Sequence, residues 1–157
     1  MAQHSLQTLL LIIFHTQNLG DIRFVWIVLL AAIVLSTVFL WSRKFVVSSL
    51  QFCLLFSLLI ITSLLVSPHT HFHDLSLLLV VAIILLSAFP QMKPKLKKRY
   101  VLFLLSGYLI MLFGYLLDLI TKTQFSQSWI VISVCYLFMF WLILVRDLFS
   151  LQKSDRV

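Results

Sequence analysis

Long, nearly uninterrupted apolar runs constrain this chain more than any other feature. Four of them are close to 20 residues long and cover residues 22–41, 46–66, 100–120 and 129–149, and a shorter one covers residues 75–89 and stops at Pro90. A helix needs about 20 residues to cross a hydrocarbon core of ~30 Å. Lipid offers the backbone no hydrogen-bond partners, so spanning runs must be helical. We therefore predict an all-α polytopic membrane protein with about five transmembrane helices.

The composition argues against a soluble globule. Hydrophobic residues make up 62% of the chain and charged residues 11%, whereas soluble domains are about 45–50% apolar and about 25% charged. The net charge of +7 could suggest nucleic acid as a partner. The basic residues, however, lie between the apolar runs, where anionic lipid headgroups attract them. We expect membrane lipids as partners and no nucleic acid.

The whole chain, residues 1–157, reads as a single transmembrane domain. Its first 20 residues contain the apolar stretch Leu6–Phe14, which lacks the basic flank and the cleavage site of a signal peptide and predicts a short interfacial helix followed by a loop. The short third run spans the bilayer only if residues 72–74 join its outer turn or the bilayer thins locally. A re-entrant hairpin is the alternative for this run.

The basic residues also orient the chain. If all five runs span, one side of the membrane holds Arg43, Lys44, the five cations of Lys93–Arg99, Arg146, Lys153 and Arg156, and the other side holds Arg23 and Lys122. The positive-inside rule then places the N-terminus outside and the C-terminus in the cytoplasm. We expect an integral protein of a prokaryotic plasma membrane. An outside N-terminus without a signal peptide suits a chain that continues upstream, so we expect a missing N-terminal half.

The loop between the second and third runs holds the densest group of reactive side chains, Ser67-Pro68-His69-Thr70-His71-Phe72-His73-Asp74. Imidazole and carboxylate groups at this spacing could bind a metal. The loop could instead be a polar turn in which Pro68 ends one helix and Asp74 caps the next. A third interpretation is an active-site segment that positions or protonates a phosphate-bearing substrate.

Two further features of the apolar runs need an explanation. Asp118 is an ionisable residue at membrane depth and therefore a candidate for function, although Lys122 follows at the i+4 position and can pair with it. Gly107 and Gly114 place two small residues on one face of the fourth run. This spacing favours close packing against another helix.

The histidine loop resembles a known motif. Ser67-Pro68-His69-Thr70, followed by His73-Asp74-Leu75 and the apolar run Leu77–Leu86, resembles the late motif of family 87 glycosyltransferases. A weaker likeness to the region before that motif is carried by Gln3, Ser5, Leu6, Leu9 and Leu10. Members of this family are multi-pass GT-C-type enzymes that use polyprenyl-phosphate sugars, typically polyprenyl-phosphate mannose. The resemblance covers roughly residues 3–90 and implies that this chain is the C-terminal portion of such an enzyme.

The resemblance implies transfer of a hexose, most simply mannose, to a lipid or glycan acceptor on the extracytoplasmic side. Such a reaction passes through an oxocarbenium-like state and needs a base for the acceptor and donors for the departing phosphate. His73, Asp74 and His71 are the expected catalytic residues, and His69 and Asp118 the expected substrate contacts. We expect no metal and no cofactor beyond the polyprenyl-phosphate sugar donor.

The family's catalytic carboxylate is expected in an earlier extracytoplasmic loop, so this chain by itself is expected to lack it. The alternative function belongs to another class of protein. It is a small non-enzymatic membrane protein whose histidine-rich loop binds a metal or serves in assembly.

Overall fold

The computed structural model describes residues 6–15, 18–42, 49–67, 76–121 and 126–154. Every regular element in those ranges is a helix, and the ranges contain no β-strand. The all-α prediction is therefore confirmed. In chain order the helices are α1 (Leu6–Ile13), α2 (Leu19–Trp41), α3 (Leu50–Val66), α4 (Leu77–Ser87), the 3-10 helix η1 (Phe89–Gln91), α5 (Pro94–Thr121) and α6 (Ser126–Ser154).

Polar side chains explain where two of the long helices begin. The Oδ1 atom of Asn18 accepts a hydrogen bond from the N–H of Gly20 at 2.9 Å. The hydroxyl of Ser49 accepts one from the N–H of Phe52 at 3.2 Å. Each cap satisfies a backbone donor that the first helical turn leaves open. These two residues therefore set the starts of α2 and α3.

Proline residues explain where α3 ends and α5 begins. Ser67 has an extended backbone with φ −60° and ψ 123°, because the ring of the following Pro68 disfavours the helical conformation in the residue before it. Helix α3 ends at Val66, where the second apolar run of the sequence also ends. Pro94, by contrast, is the first residue of α5, a position where its missing N–H costs nothing and its fixed φ suits a helix.

Helix α5 contains the fourth apolar run, residues 100–120, and extends beyond it at its N-terminal end. The helix begins at Pro94, so the cations from Lys95 to Arg99 lie in its first turns rather than in a loop. Lysine, leucine and arginine are good helix formers, and the apolar pattern marks only the part of a helix that lies in lipid or core. The hydropathy of the sequence therefore predicts the apolar part of α5 and does not predict its first, polar turns.

The predicted short helix near the N-terminus is confirmed as α1. Leu6, Leu9 and Leu10 are buried, and Ile13 is exposed. His15 ends the element in the left-handed region with φ 49°, a common conformation for a residue just beyond a helix. Because α1 packs against α2 and α6, its leucines extend the core of the bundle.

Helix α6 is the central element of the bundle, since it packs against α1, α2, α3 and α5. It runs antiparallel to α5, because Arg99 near the start of α5 contacts Asp147 near the end of α6, and Phe103 stacks on Tyr136 further along. Phe39, near the end of α2, lies against Phe149, near the end of α6, with ring centroids 6.4 Å apart. The ends of α2 and α6 therefore lie at the same end of the bundle as the start of α5.

Two helices are long and apolar enough to cross a membrane, at Gly20–Trp41 and Val131–Leu151. The apolar helices α3 and α4 have 17 and 11 residues, so they measure about 25 Å and about 17 Å at the usual helical rise. Large apolar side chains remain exposed along the outside, including Phe24, Leu35 and Leu102. The number of spanning helices predicted from the sequence was five, and two meet this criterion within the described ranges.

Candidate functional site

The histidine loop lies outside the residues that the structure describes. His69, His71, His73 and Asp74 all fall in the gap between residues 67 and 76. Ser67 closes α3, and Ser76 precedes α4 at its N-cap position without a side-chain capping bond. The predicted catalytic and substrate-binding roles of these four residues therefore stay predictions.

Asp118, the remaining predicted substrate contact, belongs to α5. Its side chain and Lys122 lie outside what the structure describes, so the expected pairing of the two is also untested. Within the described ranges, no group of three or more histidine, cysteine, aspartate and glutamate side chains could hold a metal ion.

The first polar cluster inside the bundle joins three helices. The hydroxyl oxygens of Thr37 on α2 and Thr62 on α3 lie 2.9 Å apart, and the Trp141 Nε1–H on α6 points at Thr62 Oγ1 at 3.2 Å. Thr37 donates to the carbonyl of Ile33 at 2.8 Å. One consistent proton arrangement runs from Trp141 through Thr62 and Thr37 to Ile33, so each described polar atom in the cluster has a partner.

A second polar cluster contains the buried carboxylate of Asp147 on α6. Arg99 Nη1 donates to its two oxygens at 2.7 and 3.0 Å, and the Tyr100 hydroxyl lies 3.1 Å from Oδ2. The neighbouring Arg146 donates to Oδ1 from Nη2 at 3.2 Å and from Nε at 3.3 Å. The Asp147 side chain is only 7% exposed. Removing a carboxylate from water is costly unless it is paired and hydrogen-bonded, and these donors supply both.

The chemistry open to Asp147 follows from this environment. Two guanidinium groups and a phenol already occupy its oxygens. A group held in this way is a poor general base, because it would have to release its partners to accept a proton. Asp147 is therefore suited to holding the arginines in place.

The remaining contacts join α5 to α6 through aromatic rings and glycines. Phe103 stacks on Tyr136 with centroids 5.1 Å apart, and the Tyr136 hydroxyl donates to the Phe103 carbonyl at 2.8 Å. Gly107 lies against Tyr136, and Gly114 lies against Trp129, so closely that a Cβ atom on either glycine would overlap those rings. The predicted packing role of the two glycines is confirmed.

Neither polar cluster was predicted from the sequence. An aspartate next to an arginine near the end of an apolar run was a usable signal for the second, because buried charges in such runs are usually paired. Thr37, Thr62 and Trp141 gave no comparable signal, since isolated threonines are common in apolar helices. Their meeting depends on how α2, α3 and α6 pack.

No family model, no curated protein and no solved structure matches this chain.

Proposed function

We propose that this chain is a five-span membrane protein with its N-terminus outside, and that it forms the late part of a polyprenyl-phosphate-dependent hexosyltransferase. The observation that carries the proposal is the Ser67–Asp74 motif placed between the two apolar helices α3 and α4. A polyprenyl tail requires an apolar surface, and its phosphate requires hydrogen-bond donors at the water boundary. In the sequence, the donors of this motif lie between two apolar helices.

Membrane embedding is supported by the outward faces of the helices. Phe24 on α2 is 79% exposed and Leu102 on α5 is 67% exposed. An apolar surface of this extent is unfavourable in water and favourable against lipid tails. The two candidate spans, in α2 and α6, belong to one bundle with α3 and α5.

Five spans require α3 and α4 to cross despite their length. Residues 43–48 and 68–75 flank these two helices and lie outside the described ranges. Local bilayer thinning is a modest cost for a short helix in a bundle. The cations of α5 and the end of α6 share one end of the bundle, which agrees with a single cytoplasmic face.

In the proposed site, His73 and His71 stabilise the departing phosphate, and Asp74 orients a histidine. His69 and Asp118 contact the donor or acceptor. Imidazole is suited to this task because it titrates near neutral pH and can donate a proton or a hydrogen bond. The base for the acceptor hydroxyl would come from an earlier loop of the intact enzyme, as the family resemblance implies.

Photo-crosslinking of the full chain in phosphatidylcholine vesicles tests this proposal. A polyprenyl phosphate with a photoactivatable isoprene unit should label residues within or beside 67–76, and unlabelled polyprenyl phosphate should compete while polyprenol should not. His73→Ala should weaken labelling by roughly 10-fold or more, because a hydrogen bond to a charged group contributes about 1.5–3 kcal/mol. His15→Ala, which alters an exposed histidine beyond α1, is the matched control.

Equal competition by polyprenol, or unchanged labelling of His73→Ala, would contradict a phosphate site in the loop. The metal alternative predicts a different pattern. Zn²⁺ would bind the chain without polyprenyl phosphate, His69, His71 and His73 would contribute similarly, and a chelator would reproduce their loss.

A further inference from the structure

The end of the bundle where α5 begins and α6 ends carries a strong excess of positive charge. Lys93, Lys95 and Lys98 are exposed, as is Arg146, and Arg99 is half-buried. Within the described residues, Asp147 is the carboxylate that pairs with this group. With the half-buried Lys97, six cations therefore share this end of the bundle with one buried carboxylate, and the local field favours an anionic partner.

Asp147 holds two of these cations side by side. Arg99 and Arg146 both donate to its Oδ1 atom, at 2.7 and 3.2 Å. Each guanidinium has five N–H donors, so donors remain on both after the contacts with Asp147. The Arg146 side chain is 61% exposed and the Arg99 side chain 38% exposed. The pair therefore offers preoriented donors to a group outside the bundle.

Lys95 extends this pair along α5. It lies four residues before Arg99, so the two share one face of the helix. Towards the middle of the bundle the same faces become apolar. Leu102 follows Arg99 by three residues and is 67% exposed, and Leu142 precedes Arg146 by four and is 40% exposed. Cations and apolar surface are thus continuous on the outside of the α5 and α6 pair.

We propose that Lys95, Arg99 and Arg146 form a binding site for the headgroup phosphate of an anionic phospholipid, with Asp147 as a positioning residue. The lipid tails lie on the exposed faces around Leu102 and Leu142. Arginine suits this role because its planar donors match phosphate geometry. A bilayer lipid is favoured over a free anion because the apolar surface begins within one helical turn of the cations.

The proposed lipid site consists of Lys95, Arg99, Arg146 and Asp147, and none of these residues belongs to the proposed phosphate site. The lipid site requires the membrane location and does not depend on transferase activity. The cross-linking experiment on His73 and the lipid experiment below therefore succeed or fail separately.

Native mass spectrometry of the full chain in detergent micelles measures the retained lipid directly. We expect phosphatidylglycerol to be retained roughly 10-fold more tightly than phosphatidylcholine. Arg146→Gln and Lys95→Gln should each reduce that preference about fivefold, because one cation near an anionic lipid contributes ~1 kcal/mol. Arg146→Lys should keep most of the preference. Arg23→Gln, at the other end of α2, should change nothing.

Asp147→Asn separates positioning from simple charge. It removes a negative charge, and this loss by itself would strengthen the binding of an anion. Weaker retention of phosphatidylglycerol would therefore show that the carboxylate acts by holding the arginines in place.

Arg99→Gln can destabilise the fold because it leaves Asp147 partly unpaired. Arg146→Gln and Lys95→Gln alter exposed side chains and keep the test decisive if Arg99→Gln fails to fold.

Three results would overturn the proposal. The first is equal retention of phosphatidylglycerol and phosphatidylcholine. The second is an unchanged preference in both Arg146→Gln and Lys95→Gln, which would leave the Arg99–Asp147 contact as a plain helix-to-helix link. The third is displacement of the lipid by inorganic phosphate or glycerol phosphate at millimolar concentration, which would identify a free phosphate as the ligand.

Discussion

The chain of hydrogen bonds from Trp141 through Thr62 and Thr37 shows how single polar residues fix the packing of apolar helices. Leucine side chains in lipid can slide past one another at little cost, because tails and side chains are equally apolar. A hydroxyl that must meet another polar group allows fewer arrangements. Thr37 and Thr62 belong to different helices and are both buried, so their contact fixes the register of α2 against α3.

Thr62→Val tests this role with a side chain of nearly the same shape. It removes the acceptor 3.2 Å from Trp141 Nε1 and the partner 2.9 Å from Thr37. The free energy of unfolding should fall by about 0.6–1.7 kcal/mol, the range for hydrogen bonds between membrane helices. Denaturation with sodium dodecyl sulfate in mixed micelles measures the change.

Two variants serve as controls for Thr62→Val. Thr62→Ser keeps the hydroxyl and should therefore keep the contribution that its hydrogen bonds make to the free energy of unfolding. Ser36→Ala removes a hydroxyl that bonds only to carbonyls of its own helix and should have little effect. A Thr62→Val protein as stable as the unmodified chain would show that the cluster contributes nothing to packing.

At the scale of elements, α5 depends on α6. Its inward face meets α6 through the stack of Phe103 on Tyr136 and through Gly107 and Gly114. Its outward face is apolar and exposed, as Leu105 shows. The glycines allow the aromatic rings of α6 to approach the backbone of α5 directly. Close approach at these two positions therefore sets the distance between the helices.

Gly107→Ala should disturb this pair of helices. A Cβ atom at residue 107 overlaps the Tyr136 ring and hydroxyl, and overpacking costs about 1–3 kcal/mol. The free energy of unfolding should fall by that amount in the same micelle assay. Gly107→Ala combined with Tyr136→Phe should recover part of the loss, because the hydroxyl is the group nearest to the new methyl.

The unmodified chain, Gly107→Ala, Tyr136→Phe and the double variant form a double-mutant cycle. A coupling energy near zero would contradict direct contact between residues 107 and 136. Gly20→Ala is the matched control. Its Cβ atom would lie 3.2 Å from Oδ1 of the exposed Asn18 side chain, so a shift of a few tenths of an ångström accommodates it.

On the scale of the whole molecule, charge is divided between the two ends of the bundle. The start of α5 and the end of α6 meet at one end, with their cations around Asp147. The start of α2, with Asp21 and Arg23, lies at the other end. Because cytoplasmic segments near membrane helices are enriched in lysine and arginine, the end around Asp147 is the proposed cytoplasmic face.

Reporter fusions test this orientation. Fusions within residues 68–73 and 122–127 should report an extracytoplasmic position, and fusions within residues 95–98 and after residue 153 a cytoplasmic one. A complementary pair of reporters, one active only outside and one only inside, controls for poor expression. A cytoplasmic signal at His71 would reverse the orientation and remove the outward-facing donor site.

Features of the fold that depend on neighbouring residues were easier to predict from the sequence than features that depend on distant ones. Pro68 and the small-residue pair in α5 act through local rules, so the end of α3 and the close packing of α5 were predictable. The first turns of α5 lie before the predicted apolar span because lysine is both a good helix former and a polar residue, and hydropathy registers only its polarity. The roles assigned to the histidine loop remain predictions.

Two properties of the protein follow from the amino-acid sequence without its tertiary structure: it is helical, and it has more apolar surface than a core of this size can hide. These properties depend on composition, on proline and on the hydrogen-bonding demands of the backbone, all of which are local. Only the tertiary structure decided that Asp147 meets Arg99 and that Thr37 meets Thr62 and Trp141. The two members of each pair lie on different helices, and the packing of whole helices decides which residues meet. That packing depends on many leucine contacts of nearly equal energy, so the sequence contains no pattern that predicts it.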